Sequence, residues 1–249
     1  MTTTATTARE REPAMPGNEP LLQIRDLTIR YGNHTAVDRL NLNLPAGQIV
    51  GLLGENGCGK STLLKALAGV YADYTGEISL GGHSPGPQSK AITSYLPDRS
   101  ALPDRVRVSY CLDLYGDFFA DFDRAKAGDL LDFFGLPESM RLKEMSKGMR
   151  EKVQITLAMA RQARVYLLDE PISGVDPAAR QGILDGILRN LNEDSLLLIA
   201  THLIHDLEAT LDSVVMMRRG KVLLTGQVDD LRAEHQASLD QLFRKVYGS

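Results

Sequence analysis

Three short stretches of the chain carry residue types whose spacing can do phosphate chemistry. Gly54-Glu55-Asn56-Gly57-Cys58-Gly59-Lys60-Ser61-Thr62 lies between an apolar run, Ile49 to Leu53, and a helix-favouring run, Leu63 to Ala68. The pattern GxxxxGK[ST] is met by Gly54, Gly59, Lys60 and Ser61. Its glycines let successive main-chain N–H groups turn inward around phosphate oxygens, and the free amides of the following helix add partial positive charge. Lys60 is then expected to reach the β- and γ-phosphates, and the Ser61 hydroxyl to ligate Mg²⁺. Asp169-Glu170 closes the apolar run Val165 to Leu168. One carboxylate there can hold Mg²⁺, directly or through water, and its neighbour can orient or polarise an attacking water. Ser146 and Gly148 open a long helical pattern from Met149 to Arg161, where a hydroxyl, free amides and the helix dipole can address an anion.

The elements that must position these residues follow from hydrophobic periodicity. Leu21 to Tyr31 roughly alternates, as does a strand exposed on one face, Gly32-Asn33 supplies a turn, and a second strand is expected over Asp38 to Leu44. Gly76 to Gly82 reads as a short strand, Ser84 to Gln88 as a surface loop rich in Pro and Gly, and Ile92 to Leu96 as a further strand. From Val108 to Met145 the period becomes helical: one helix carries Cys111, Leu112, Leu114 and Tyr115. Another carries Leu130, Leu131, Phe133 and Phe134, with Asp121 or Asp123 as cap and Gly135 after its end. The phenylalanines crowded into this stretch predict a helical insertion, about 98–160, with a small core of its own. Beyond it, strand Val165 to Leu168, helix 177–192, strand Leu196 to Ala200, helix 204–211 and strand Val214 to Met217 alternate as in a parallel sheet with crossover helices. A strand over Lys221 to Leu224 and helices near 228–235 and 239–246 complete the chain. The fold class expected is α/β: a P-loop NTPase core with a mostly parallel sheet, an N-terminal antiparallel β subdomain and an inserted α-helical subdomain. Residues 21–226 form the nucleotide-binding domain, 1–20 a disordered tail, and 227–249 a C-terminal helical extension.

Composition narrows the class further. A net charge of −4 offers no footprint for nucleic acid or for an anionic membrane surface. The longest continuous apolar run, Leu196 to Ala200, is far short of the roughly 18 residues needed to cross a bilayer. Cys58 and Cys111 have no metal-like spacing, which fits a reduced, cytosolic protein.

A phosphate loop alone fits GTPases, kinases, helicases and transporters, and the chain lacks an NKxD-type guanine-reading motif. The remaining motifs are more specific, and with them the sequence resembles the ATP-binding subunit of an ABC transporter from about Leu21 to Gly226. Met145-Ser146-Lys147-Gly148-Met149 resembles the family's LSGGQ signature, Leu168-Asp169-Glu170-Pro171 its Walker B end, Ser173-Gly174-Val175-Asp176 its D-loop, and Thr201-His202 its switch histidine. Tyr31 resembles the A-loop aromatic that stacks on adenine. The resemblance implies ATP and Mg²⁺ as cofactors. Nucleotide is expected at Tyr31, Gly54, Glu55, Asn56, Gly57, Cys58, Gly59, Lys60, Ser61 and Thr62, and at Ser146, Lys147, Gly148, Met149 and Asp176. Mg²⁺ is expected at Ser61, Asp98 and Asp169, and catalysis from Glu170, His202 and Lys60.

It also implies a dimer, homomeric or heteromeric, with two ATP molecules sandwiched between phosphate loop and opposing signature, working through a separate transmembrane permease and not with nucleic acid. The chain is then cytoplasmic, held at the inner face of the membrane by that permease. Two departures stand out: Asp98, in Tyr95-Leu96-Pro97-Asp98, where most family members carry the Q-loop glutamine, and Lys147 and Met149 within the signature. With Phe122-Asp123 they look like the exporter-type subgroup of bacterial ABC ATPases. The same departures motivate an alternative, a soluble ATP-switched regulatory module not coupled to transport.

Overall fold

The computed structural model describes residues 20–99 and 102–248. The tail expected over residues 1–20 thus lies outside the described residues, apart from Pro20. Two sheets organise the chain. Strands β1 (Leu22–Tyr31), β2 (His34–Leu44) and β4 (Tyr74–Leu80) form an antiparallel sheet in the order β2-β1-β4. The second sheet has six strands: β3 (Gln48–Leu53), β5 (Thr93–Leu96), β6 (Val165–Asp169), β7 (Leu196–Thr201), β8 (Ser213–Arg218) and β9 (Lys221–Gln227), in the order β5-β6-β7-β3-β8-β9. It is parallel throughout except for the antiparallel edge pair β8-β9.

Burial explains why the central strands read as continuous apolar runs. Every residue of β6 and β7 is buried, because helices cover both faces of a parallel sheet. Edge strand β9 instead alternates between exposed and half-buried residues. The Gly32-Asn33 turn lets β2 start at His34, four residues before the strand expected from Asp38, because Tyr31 pairs directly with His34 across the hairpin.

Nine α-helices lie between or after these strands among the described residues: α1 (Lys60–Leu67), α2 (Pro87–Ala91), α3 (Val108–Phe118), α4 (Arg124–Phe134), α5 (Lys147–Met159), α6 (Pro177–Leu188), α7 (Ile204–Leu207), α8 (Val228–His235) and α9 (Leu239–Tyr247). The expected Pro/Gly loop at Ser84 to Gln88 is in part the start of α2, with Pro87 in the first turn, where a missing N–H costs nothing. Asp123, not Asp121, caps α4 by accepting from Lys126 N at 2.9 Å, and Gly135 ends it in the left-handed region at φ 67°. Asp121 pairs with the buried Arg161 at 2.9 Å instead. The phenylalanine-rich helical stretch does not enclose a core of its own. Leu112, Leu131 and Phe134 belong to one apolar cluster with Leu168, Leu197 and Ile199 of the parallel sheet. The reason is α5, whose buried Val153, Ile155 and Leu157 lie in that same cluster.

Candidate functional site

The parallel order β6-β7-β3 brings together residues more than a hundred positions apart in sequence. Strand ends Leu53, Asp169 and Thr201 fall at one edge of the sheet, the carboxyl end of its strands, where open α/β sheets bind ligands. Gly54 to Gly59 leaves β3 there and runs into α1. Gly57 and Gly59 take φ 80° and 111°, which side chains with a Cβ rarely adopt. A Cβ on Gly59 would stand 2.3 Å from Ala36 O, so β2 and the hairpin that carries Tyr31 pass directly beside the loop. Tyr31 is 44% exposed and its ring packs on Tyr71 with centroids 5.1 Å apart, which leaves an aromatic face presented to solvent.

Within the loop, Lys60 is buried and turned back on the main chain. Its Nζ donates to Gly54 O at 2.7 Å and to Glu55 O at 3.2 Å, and stands 3.7 Å from Glu170 Oε1. The Ser61 hydroxyl donates to Asp169 Oδ1 at 3.0 Å. Glu170 is tied down on three sides: its N–H donates to Ala200 O at 2.8 Å, Thr201 Oγ1 lies 3.2 Å from Oε2, and His202 Nδ1 lies 3.0 Å from both carboxylate oxygens. Its backbone sits at φ 53°, uncommon for a residue with a side chain, a strain of on the order of 1–3 kcal/mol that surrounding structure must hold.

The donor set can be tested against Mg²⁺ from these residues alone. Asp169 is 1% exposed, and its Oδ2 is buried with no hydrogen-bond partner. Burial, with Asp98 and Glu170 adding like charge, pushes its carboxyl up to about 6 despite the Ser61 bond. A buried orphan carboxylate oxygen beside a hydroxyl is what a hard cation would satisfy. Among the described residues no group of three or more His, Cys, Asp or Glu is arranged to hold a metal ion. Ser61 and Asp169 would hold such a cation, leaving its further positions to other oxygen donors, water and phosphate. Asp98 lines the same recess, with Glu151, Gln154, Asp169 and Glu170.

A second group of motif residues stands apart. Ser146 caps α5, accepting from Met149 N at 3.2 Å, and Asp176 caps α6, accepting from Ala178 N at 2.9 Å. These two caps are neighbours: a Cβ on Gly174 would run into Lys147 Nζ and Glu151 Oε1, and one on Gly148 would meet only Val175 at 3.9 Å. Among the described residues no hydrogen bond or ion pair links Ser146, Lys147, Gly148, Met149 or Asp176 to Gly54–Thr62. The site also contains a residue that motif reading passed over as a contributor, Thr201. Its hydroxyl is shared between Glu170 Oε2 and Leu203 N, and its place beside His202 at the end of a buried strand was the available signal.

The Cys58 side chain is packed into the interior. The residue is 6% exposed and belongs to the apolar cluster of Val50, Leu64 and Met217. Burial raises its pKa above the ordinary thiol value.

Comparisons with known proteins agree with this arrangement. The family model described as ABC transporter matches residues 37–173. The uncharacterized ABC transporter ATP-binding protein YxlF of Bacillus subtilis is 31% identical over 224 residues, covering 88% of this chain and 75% of that protein. The Nod factor export ATP-binding protein I of Ralstonia nicotianae is 30% identical over 250 residues, covering 96% and 77%. A solved ATP binding subunit of an ABC transporter superposes with a TM-score of 0.81 at 29% identity, covering 91% of this chain and 99% of that one. With its phosphate loop, Asp169-Glu170 pair and His202 at one sheet edge, the chain belongs to the ABC transporter family, as an ATP-binding subunit.

Proposed function

We propose that this chain binds MgATP at Gly54–Thr62, closes on it with the Ser146–Met149 signature of a second subunit, hydrolyses it with Glu170, and powers export through a transmembrane permease. The single observation that carries the hydrolytic part is the fixing of the Glu170 carboxylate by Thr201, His202 and a left-handed backbone beside Lys60. A carboxylate held in this way is positioned to orient a water and accept its proton, with no reorganisation at the moment of attack.

Lys60 and Glu170 form an ion pair across the site, and that pair defines the first event. An incoming triphosphate offers Lys60 stronger, charged acceptors than the Gly54 and Glu55 carbonyls. Lys60 can then turn to the phosphates and release Glu170 to face water. Mg²⁺, when bound, neutralises phosphate charge and polarises the transferring group. Ser61 and Asp169 would hold it, and Asp98 faces the same recess as a further oxygen donor. His202, 39% exposed, reaches from Glu170 toward the open side, where it can donate to a phosphate oxygen. Tyr31 supplies the exposed ring for the base.

Dimerisation is supported by the separation of the two motif groups within one chain. Export is supported by the relative named for Nod factor export and by another named for daunorubicin resistance. No described helix is long and apolar enough to cross a membrane, so on this reading a partner supplies the transmembrane path. The reading is tested with Glu170→Gln, which keeps the shape and the polar contacts but removes the proton acceptor. The expected result is ATP affinity within a few-fold of wild type, turnover lower by roughly 10²–10⁴, and an ATP-dependent dimer on size-exclusion chromatography. Normal turnover by this variant would remove Glu170 from the role.

A further inference from the structure

The C-terminal helix α9 lies outside the residues matched by the family model, yet it reaches the base of the phosphate loop. Its last residue, Tyr247, is 9% exposed. The Tyr247 hydroxyl donates to Met217 O on β8 and stands 3.4 Å from Leu53 O, the last carbonyl of β3. The ring is stacked on Phe243 with centroids 4.0 Å apart, and the Arg218 guanidinium lies 5.9 Å from its centroid. Gly54 makes room for this approach: a Cβ there would stand 2.6 Å from Met217 O and 3.3 Å from the Tyr247 hydroxyl. The helix itself is fixed at its other end. Ser238 caps it by accepting from Gln241 N, and Leu239 N donates to Glu208 Oε1 at 2.9 Å, an oxygen that also pairs with Arg232. Glu208 directly follows α7, the helix after His202.

We propose that Tyr247 is a positioning residue for nucleotide binding: it holds Met217 O of β8 beside Gly54 and lies against the Leu53–Gly54 peptide where the phosphate loop begins, so that α9 is part of the nucleotide site. The inference rests on the reading of Gly54–Thr62 as the triphosphate site. Consecutive peptides are met by two different side chains. The Leu53–Gly54 carbonyl faces Tyr247, whereas the next carbonyl, Gly54 O, accepts from Lys60 at 2.7 Å. When a triphosphate draws Lys60 away, the grip on Gly54 O is lost, and the Tyr247–Met217 bond, together with the pairing of Leu53 in the sheet, is what still holds the start of the loop. A loop whose amides are already aimed binds phosphate without an ordering cost. Glu170, Thr201 and His202 are held by β6 and β7 and do not depend on this contact, so the effect falls on binding and not on the chemical step.

The test is Tyr247→Phe, which keeps the ring and its stacking and removes only the donor. Expected is a rise of about fivefold in both the MgATP dissociation constant and KM, the size of one ordinary hydrogen bond, with kcat at saturating ATP within about twofold of wild type. A merely structural role would lower the melting temperature and leave the ATP affinity of the folded protein unchanged, and that result overturns the proposal. A second measurement uses the wild-type chain: hydrogen exchange of the last turn of α9 is expected to slow when MgATP binds. If Tyr247→Phe fails to fold, the exchange measurement decides, and unaltered exchange in α9 on ATP binding overturns the coupling. Wild-type protein that binds no ATP overturns the nucleotide-site reading itself, an outcome separate from equal binding by wild type and variant.

Discussion

The phosphate-loop region and the signature region use the same device, a helix N-terminus preceded by small or polar residues, but the fold treats them differently. At α1 the helix start is drawn into a web: Lys60 on two loop carbonyls, Ser61 on Asp169, and Glu170 within 3.7 Å of Lys60. At α5 the cap is local. Ser146 accepts from Met149 N with its hydroxyl and from Arg150 N with its carbonyl, Lys147 pairs within its own helix with Glu151 at 3.8 Å, and its Nζ is near Gly174. The first region can be assembled by one chain because three parallel strands end side by side. The second has its helix start secured by Ser146 and, among the described residues, makes no hydrogen bond or ion pair with the phosphate loop. The contrast supports the idea that the second half-site completes a site elsewhere.

The largest effect expected from breaking this contrast is at Lys60. Lys60→Ala removes the charged donor that holds both loop carbonyls, and ATP affinity of the isolated chain should fall about a hundredfold, as for loss of a charge-assisted bond to phosphate. Isothermal titration would show it, and near-normal affinity would mean that the loop does not hold the triphosphate.

Gly148→Asp probes the other region and should separate binding from turnover. The new side chain has room, since only Val175 lies near, and an acid in the first turn favours the helix dipole. The variant should therefore melt no lower than wild type and bind ATP normally as a single chain, while losing hydrolysis through repulsion of a partner's phosphate. Mixed with Lys60→Ala, it should recover up to about a quarter of wild-type activity, because half of randomly paired dimers carry one intact composite site. No recovery on mixing would place both regions in one chain's site.

The smallest effect is at Cys58, where burial and a raised pKa predict slow alkylation. At pH 8 the thiol should react at least about tenfold more slowly than a free cysteine, with the rate still climbing at higher pH, because the thiolate is the nucleophile and is scarce until pH exceeds the raised pKa. Rapid labelling that MgATP blocks would instead place the thiol on the phosphate side of the loop.

Much of the fold was legible because the physics was local. Strands buried on both faces must be apolar throughout, so Val165 to Leu168 and Leu196 to Ala200 declared themselves, and Gly135 after α4 marked a left-handed helix end. Helix lengths were less legible. The pattern expected over 177–192 ends at Leu188, and that over 204–211 ends at Leu207. Periodicity continues past the point where the chain must turn back to a strand. The separate core expected for the helical stretch was not legible either, because sequence does not say that the apolar side chains of α5 join the cluster lining the sheet.

The sequence by itself determined which groups are available: a phosphate-loop pattern, a carboxylate pair, a capped signature helix and the family they resemble. Their spacings are local, and local geometry follows from residue type. Only the tertiary structure decided that Lys60 rests on Gly54 O, that Thr201 and His202 hold Glu170 at φ 53°, that Cys58 turns into the core, and that Tyr247 comes to lie under Leu53. Each of these depends on the order of strands in the sheet, a long-range choice set by how the whole chain buries its apolar faces.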